Sequence, residues 1–298
     1  MSYVIEAEGL AKKYRGGVWG IREVSFKAPN SSLTVLLGPN GAGKTTTVKV
    51  LSTLLKPTKG RAYVLGMDVV KEASKLRSRI AICPQDVRAD PNWTPMDAVV
   101  GYLMCRGWSL SDARKEARKW IEELELWSVK DRPIAKLSGG QAKRVVVAMV
   151  LASNADMYFL DEPTAGLDVE GRFRVWRVLR NVIREDASIL LTTHDMKEAE
   201  LLADYVVMIH EGKVIASGSV RELVSKVPYV AKVVVRGVTI NELSGLLTFD
   251  LGDKVIAYVK SKTEALSIAS MVSGEVSISG ITLEDAYIYL IRRGGGSE

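Results

Sequence analysis

Short apolar runs separated by polar, periodic stretches organise most of this chain. Residues 3–8, 21–28, 33–37 and 80–83 are rich in Val, Ile, Leu and Phe and read as short strands. Met157-Tyr158-Phe159-Leu160 and Ser188-Ile189-Leu190-Leu191-Thr192 are flat apolar runs without alternation. Such runs fit strands buried on both faces, as in parallel sheets. Lys44 to Leu55 reads as a helix stopped by Pro57 and Gly60, and Val169 to Arg184 as another helix. Around Glu211-Gly212, residues 205–209 and 213–216 pair as a hairpin. Strands that alternate with helices argue a doubly wound α/β core.

Two segments break that pattern. From about 86 to 155 the chain is helical: an amphipathic stretch opens at Pro95, a charged helix covers 111–126, and a third begins after Leu137-Ser138-Gly139-Gly140. This block reads as a helical insertion. After 224 the order becomes strand 229–236, helix 239–246, strands 247–250 and 254–259, helix 262–272, strand 275–279 and helix 283–292. Thr239 with Glu242, and Ser261 with Glu264, have capping-box spacing at two helix starts. A β-α-β-β-α-β order predicts a small split-βαβ domain. Gly294 to Glu298 reads as a frayed tail. Domains are therefore expected at 1–224 and 225–298.

Composition narrows the class. With 298 residues, 47% hydrophobic and 26% charged, the chain is long enough and apolar enough to fold around a large core. The longest plainly apolar run, Val145 to Ala152, is too short to span a bilayer. No basic start followed by an apolar stretch marks a signal peptide. Two cysteines and two histidines make neither a disulfide scaffold nor a zinc cluster, so a reducing, cytoplasmic compartment is expected. The net charge of +6 comes from a basic first 85 residues, while 156–224 is acidic. A basic first segment suits polyanions, whether nucleotide, nucleic acid or acidic lipid heads, and equally an ordinary solvated surface.

Gly38-Pro39-Asn40-Gly41-Ala42-Gly43-Lys44-Thr45, between a strand and a helix, fits a phosphate-binding loop. Its glycines turn backbone N–H groups toward phosphate oxygens, and the helix start adds a favourable field. Lys44 can reach the outer phosphates and the Thr45 hydroxyl can ligate Mg²⁺; Thr46 follows within the same turn. Asp161 and Glu162 end a buried strand, where an α/β sheet opens its ligand crevice. Asp161 fits a Mg²⁺ partner and Glu162 a general base for water. Gln85 and His194 each follow a strand and can touch metal-bound water or a γ-phosphate, or serve as ordinary loop residues. Ser138, Gly139, Gly140 and Gln141 build a second anion-facing helix start, without a lysine. Two phosphate-facing sites on one chain suggest a ligand shared between chains. Cys83 and Cys105 show no pattern that marks a reactive thiol and read as inert.

In this order and spacing, the loop 38–45, Gln85, the signature 137–141, the strand 157–162, Ala165 to Asp168 and His194 resemble the ATP-binding cassette (ABC) ATPases. The resemblance spans about residues 3–224. It implies an α/β fold, the P-loop NTPase ABC cassette with a helical subdomain, joined here to the small α+β domain. It also implies ATP and Mg²⁺, with Thr45, Gln85 and Asp161 at the metal. Glu162, His194, Lys44 and Gln85 would carry hydrolysis. The implied assembly is a head-to-tail dimer in which Ser138, Gly139, Gly140 and Gln141 serve the partner's ATP and Asp168 lies at the interface. Tyr14 matches the family's adenine-stacking aromatic, with Trp19 as a competitor. Ile281 to Tyr287 is similar to the terminal segment of drug-resistance-type exporter ATPases. The expected function is thus the ATPase subunit of an exporter, peripheral on the inner membrane face, driving a separate permease, with no nucleic-acid partner. The alternatives are an importer ATPase with a regulatory tail and a soluble ABC ATPase acting on DNA or ribosomes.

Overall fold

The computed structural model describes residues 2–184, 186–237, 247–272 and 274–294. They form two compact units, Met1–Ser219 and Val220–Glu298. The division falls five residues before the expected 224/225 boundary, because the short helix that opens the second unit packs within it.

The first unit opens with β1 (Tyr3–Lys13) and β2 (Trp19–Pro29), an antiparallel pair with several register shifts. Both run longer than the expected strands. β3 (Leu33–Leu37) is buried at every position and feeds α1 (Lys44–Leu51). That helix stops earlier than Leu55: Thr53 takes a left-handed φ of 67° and its N–H bonds to Val50 O. A β-branched residue in that conformation ends a helix before any proline is reached. β4 (Lys59–Val64), β5 (Met67–Asp68) and α2 (Ala73–Arg79) precede β6 (Ile80–Cys83).

The insertion holds α3 (Pro95–Cys105), α4 (Leu110–Glu123) and α5 (Gly139–Leu151), packed on one another. α5 starts at Gly139 itself, two residues earlier than expected, because Ser138 is its N-cap. Then come β7 (Met157–Asp161), α6 (Val169–Arg184), β8 (Ser188–Thr193), α7 (Met196–Leu202), and the hairpin β9 (Tyr205–His210) and β10 (Lys213–Gly218). Glu211 and Gly212, at φ 46° and 76°, make its turn, the positive-φ pair that matches strand twist.

One ten-stranded sheet runs β5-β4-β1-β2-β10-β9-β3-β8-β7-β6. β9, β3, β8, β7 and β6 pair in parallel; β5, β4, β1 and β2 form an antiparallel arm. β7 and β8 are buried throughout. Their carboxyl ends therefore meet beside the loop that leaves β3, and that edge carries the site.

The second unit has α8 (Val220–Ser225), β11 (Ala231–Arg236), β12 (Leu247–Asp250), β13 (Lys254–Val259), α9 (Lys262–Met271), β14 (Glu275–Gly280) and α10 (Leu283–Gly294). Its sheet is ordered β12-β13-β11-β14, with antiparallel neighbours throughout. That is the order a split βαβ unit produces. The expected helix 239–246, with Thr239 and Glu242, and the tail beyond 294 lie outside the described residues. Val233, Val235, Val255, Ala257 and Val259 pack against Ala265 and Ile268 of α9. On the alternate positions, Lys232 and Tyr258 reach Asp285 of α10. Ser261 caps α9 through Glu264 N–H, while the Glu264 carboxylate accepts from Lys260 N–H, so the box is only half made. No helix among the described residues is long and apolar enough to cross a membrane.

Candidate functional site

The loop after β3 is shaped by its glycines. A Cβ on Gly38 would lie 2.2 Å from Ile209 O, and Gly43 sits at φ 102° with a Cβ position 2.6 Å from Gly20 O. No side chain caps α1, whose N-cap is Gly43. Its leading N–H groups are thus offered outward, as an anion site at a helix start requires. Asn40, Gly41, Gly43, Lys44, Thr45 and Thr46 line a cavity of about 340 Å³ together with Trp19, Gly20, Gln85 and Glu162.

Lys44 is buried at 5% exposure. Its Nζ donates to Gly38 O at 2.8 Å and Pro39 O at 3.1 Å, and lies 3.6 Å from Glu162 Oε1. Burial holds its ammonium below the ordinary 10.5, outweighing the Glu162 carboxylate beside it. Glu162 follows β7 at φ 49°, the left-handed region that costs a non-glycine residue about 1 kcal/mol or more. Its N–H donates to Thr192 Oγ1 at 3.0 Å, which holds the turn. Its Oε1 is 3.2 Å from His194 Nδ1, with the imidazole half-exposed. Asp161, 1% exposed, accepts from the Thr192 hydroxyl. One threonine near the end of β8 therefore holds the Glu162 backbone and the Asp161 carboxylate together.

Lys44, Thr45, Gln85, Glu162 and His194 are brought together, with Asp161 behind them. Gln85 is exposed, and its carbonyl accepts from Lys143 Nζ at 3.1 Å. Ala42 is buried beneath the loop, its carbonyl accepting from Gly212 N–H. Tyr14 does not line the cavity: its hydroxyl is 3.1 Å from Thr46 Oγ1. Trp19 stands on the cavity wall, with Lys13 Nζ 5.4 Å from its ring centroid.

The signature residues do not reach this cavity. Ser138 Oγ accepts from Gln141 N–H at 3.2 Å and Gln141 Oε1 from Ser138 N–H at 3.0 Å, a complete capping box. The box leaves the Gly139 and Gly140 N–H groups outside it, at the surface end of α5. Asp168 is exposed and its Oδ1 accepts from Gly171 N–H at 2.7 Å, capping α6. The Cys83 thiol is buried and pushed up to about 11, which makes it inert. Thr192, Lys143 and Glu198 are contacts the sequence reading passed over. The polar Thr192-Thr193 pair closing an apolar strand was the available signal.

A glycine loop feeding an uncapped helix, with a buried lysine and a strand-end glutamate across a polar cavity, defines a phosphate-loop nucleoside triphosphatase. The family model for the ABC transporter matches residues 21–165. The chain is 38% identical over 221 residues to the daunorubicin/doxorubicin resistance ATP-binding protein DrrA of Streptomyces peucetius, covering 74% of this chain and 67% of that one. It is 31% identical over 302 residues to the daunorubicin resistance ATP-binding protein DrrA3 of Streptomyces coeruleorubidus, covering 96% and 95%. It is 35% identical over 222 residues to the Nod factor export ATP-binding protein I of Ralstonia nicotianae, covering 74% and 69%. Among solved structures, cbiO1 from Clostridium perfringens, part of the ABC transporter complex cbiONQ, superposes with a TM-score of 0.66 at 28% identity, over 76% of this chain and 92% of that one. The ATP-binding cassette MJ0796, a dimer in a post-hydrolysis state with ADP and Pi, has the same fold, with a TM-score of 0.67 at 24% identity over 72% and 98%. The chain belongs to the ABC transporter family and is an ATPase.

Proposed function

We propose that this ATPase powers an exporter whose membrane-spanning permease is a separate chain, and that it works as a head-to-tail dimer. The carrying observation is the separation of two glycine-rich helix starts. One lines the cavity with Lys44 and Glu162; the other, at Ser138 to Gln141, lies outside that cavity. ATP held against the loop 38–45 leaves its far side for a second copy's Gly139 and Gly140 N–H groups. Drug-resistance and Nod-factor-export names among the relatives support the export direction.

In this reading the loop N–H groups and Lys44 bind the β- and γ-phosphates. Glu162, fixed by Thr192, polarises the attacking water. His194, bridged to Glu162, orients the γ-phosphate. Thr45, Gln85 and Asp161 offer an all-oxygen donor set beside the cavity, which fits a Mg²⁺ ion that keeps most of its waters. That ion would supply charge neutralisation at the bridging phosphate oxygens. The subunit sits at the inner face of the cell membrane.

The test is recovery of the tagged chain from its native host in mild detergent, after a high-salt membrane wash, with co-purifying chains identified by mass. Stoichiometric recovery of a multi-spanning membrane protein is expected. Recovery from the soluble fraction with ribosomal or DNA-associated proteins overturns the transport role and leaves the ATPase chemistry standing.

A further inference from the structure

The helix that follows His194 is tied to its surroundings by two carboxylates. Asp195 Oδ1 accepts from the N–H groups of Lys197 at 2.9 Å and Glu198 at 3.2 Å, capping α7. Its Oδ2 accepts from Arg172 Nη1 of α6 at 3.1 Å. Glu198 sits one turn further on and is 2% exposed. A single oxygen, Oε1, accepts from Thr164 Oγ1 at 2.6 Å and from Trp176 Nε1 at 2.7 Å.

Those partners belong to two different segments. Thr164, itself buried, lies two residues after Glu162 in the turn that leads to Asp168. Trp176 lies on α6. Within the same turn, Ala165 N–H bonds to Glu162 O and Leu167 N–H to Thr164 O. Leu167 then packs against the signature helix, where a Cβ on Gly140 would meet its Cδ2 at 3.4 Å.

Both donors to Glu198 are neutral, and among the described residues no cation forms an ion pair with it. A buried carboxylate held this way is a poor choice for stability, since an apolar side chain of similar volume avoids the desolvation penalty. What the carboxylate supplies is direction: one oxygen fixes the distance between the turn after Glu162, α6, and the helix after His194.

We propose that Glu198 is a positioning residue for ATP hydrolysis. It locks the Glu162–Asp168 turn to the His194-bearing segment, so that the Glu162 carboxylate and the His194 imidazole hold their 3.2 Å approach. This rests on the reading of Glu162 and His194 as the hydrolytic pair. Glu198 is 2% exposed and does not line the phosphate-loop cavity, so its loss acts through the geometry of Glu162 and His194.

The experiment compares full-length Glu198→Ala, Glu198→Gln and Thr164→Val with the native protein, measuring steady-state ATP hydrolysis, KM, nucleotide-binding stoichiometry and Tm. A misplacement of about 1 Å costs roughly 10²-fold in rate, so Glu198→Ala is expected to lose about that much kcat with KM within about twofold. Glu198→Gln keeps a carbonyl oxygen for both donors and is expected within about fivefold of native kcat. Thr164→Val removes one donor at constant shape and is expected to lose about 10-fold with native stoichiometry, which keeps the test decisive if Glu198→Ala does not fold. Native kcat in Thr164→Val or Glu198→Ala overturns the proposal. So does a Glu198→Ala loss matched by lost binding stoichiometry, or a Glu198→Gln variant as impaired as Glu198→Ala. His194→Ala is measured beside them: if it hydrolyses ATP at the native rate, the reading of the hydrolytic pair falls, whatever the Glu198 variants do.

Discussion

Glu162 sits in ion-pair contact with Lys44, the lysine proposed to bind phosphate, and this makes a prediction about binding as well as turnover. Glu162→Gln removes one charge from a pair separated by 3.6 Å, with side chains 5% and 9% exposed. At an effective dielectric near 20, that attraction is about 4–5 kcal/mol. Desolvation of the two ions offsets much of it. A nucleotide that takes Lys44 from a neutral glutamine should then bind more tightly by about 1–2 kcal/mol, roughly 5- to 30-fold in Kd. ADP is the ligand to use. In the proposed site it would engage the lysine through its β-phosphate, and its affinity is not confounded by hydrolysis. Isothermal titration of full-length native and Glu162→Gln proteins with ADP, at fixed Mg²⁺, reads the effect directly. Hydrolysis of ATP by the variant should fall by about 10²-fold or more, the usual contribution of a general base. An unchanged or weaker ADP affinity refutes the reasoning about the pair. Retained turnover refutes the base assignment.

Other expectations come from the same contacts. Trp19→Ala should weaken adenine-nucleotide binding by about 1–3 kcal/mol, the usual worth of a base stacked on an aromatic ring, and Tyr14→Ala should cost less than that; a larger loss in the Tyr14 variant, in a nucleotide titration, returns the base contact to Tyr14. Thr192→Val should cost about 1–3 kcal/mol in urea unfolding, because the Glu162 N–H and the Asp161 carboxylate lose a buried partner; a midpoint within error of native contradicts that role. Asp285 is buried, which alone would push its carboxyl up, but bonds from Lys232, Tyr258 and Thr282 hold it below 3.8. Its stabilisation is therefore complete above the unfolded value and lost as pH falls through the lower folded one. Asp285→Asn should cost about 3 kcal/mol or more in full-chain denaturation at pH 7 and flatten the acid limb of the stability curve; identical acid limbs count against the pair.

Much of the site was legible because its chemistry is local. The phosphate loop needs glycines within a few residues of a strand end and a lysine at a helix start, and both lie in one stretch of sequence. Flat apolar runs announced β7 and β8, since burial on both faces removes alternation. The carboxylates at the end of β7 and the histidine after β8 follow from that placement. Less was legible where the deciding partner is distant. Thr192 stands 30 residues from Glu162, and no local pattern says that its hydroxyl serves the Glu162 backbone and the Asp161 carboxylate. The earlier end of α1 came from a left-handed Thr53, a state that propensity alone disfavours.

The sequence by itself determined the α/β alternation, the helical insertion, the anion-binding loop and the strand-end positions of Asp161, Glu162 and His194. Each depends on hydrophobic period or on a turn chemistry that a few adjacent residues specify. The tertiary structure alone decided that Trp19 lines the cavity while Tyr14 bonds to Thr46 on its wall, that Lys44 pairs with Glu162, and that Glu198 joins three segments through one oxygen. Those outcomes depend on how strands far apart in the chain are ordered side by side. Strand order is set by packing the whole sheet, and that packing alone brings such partners within hydrogen-bond reach.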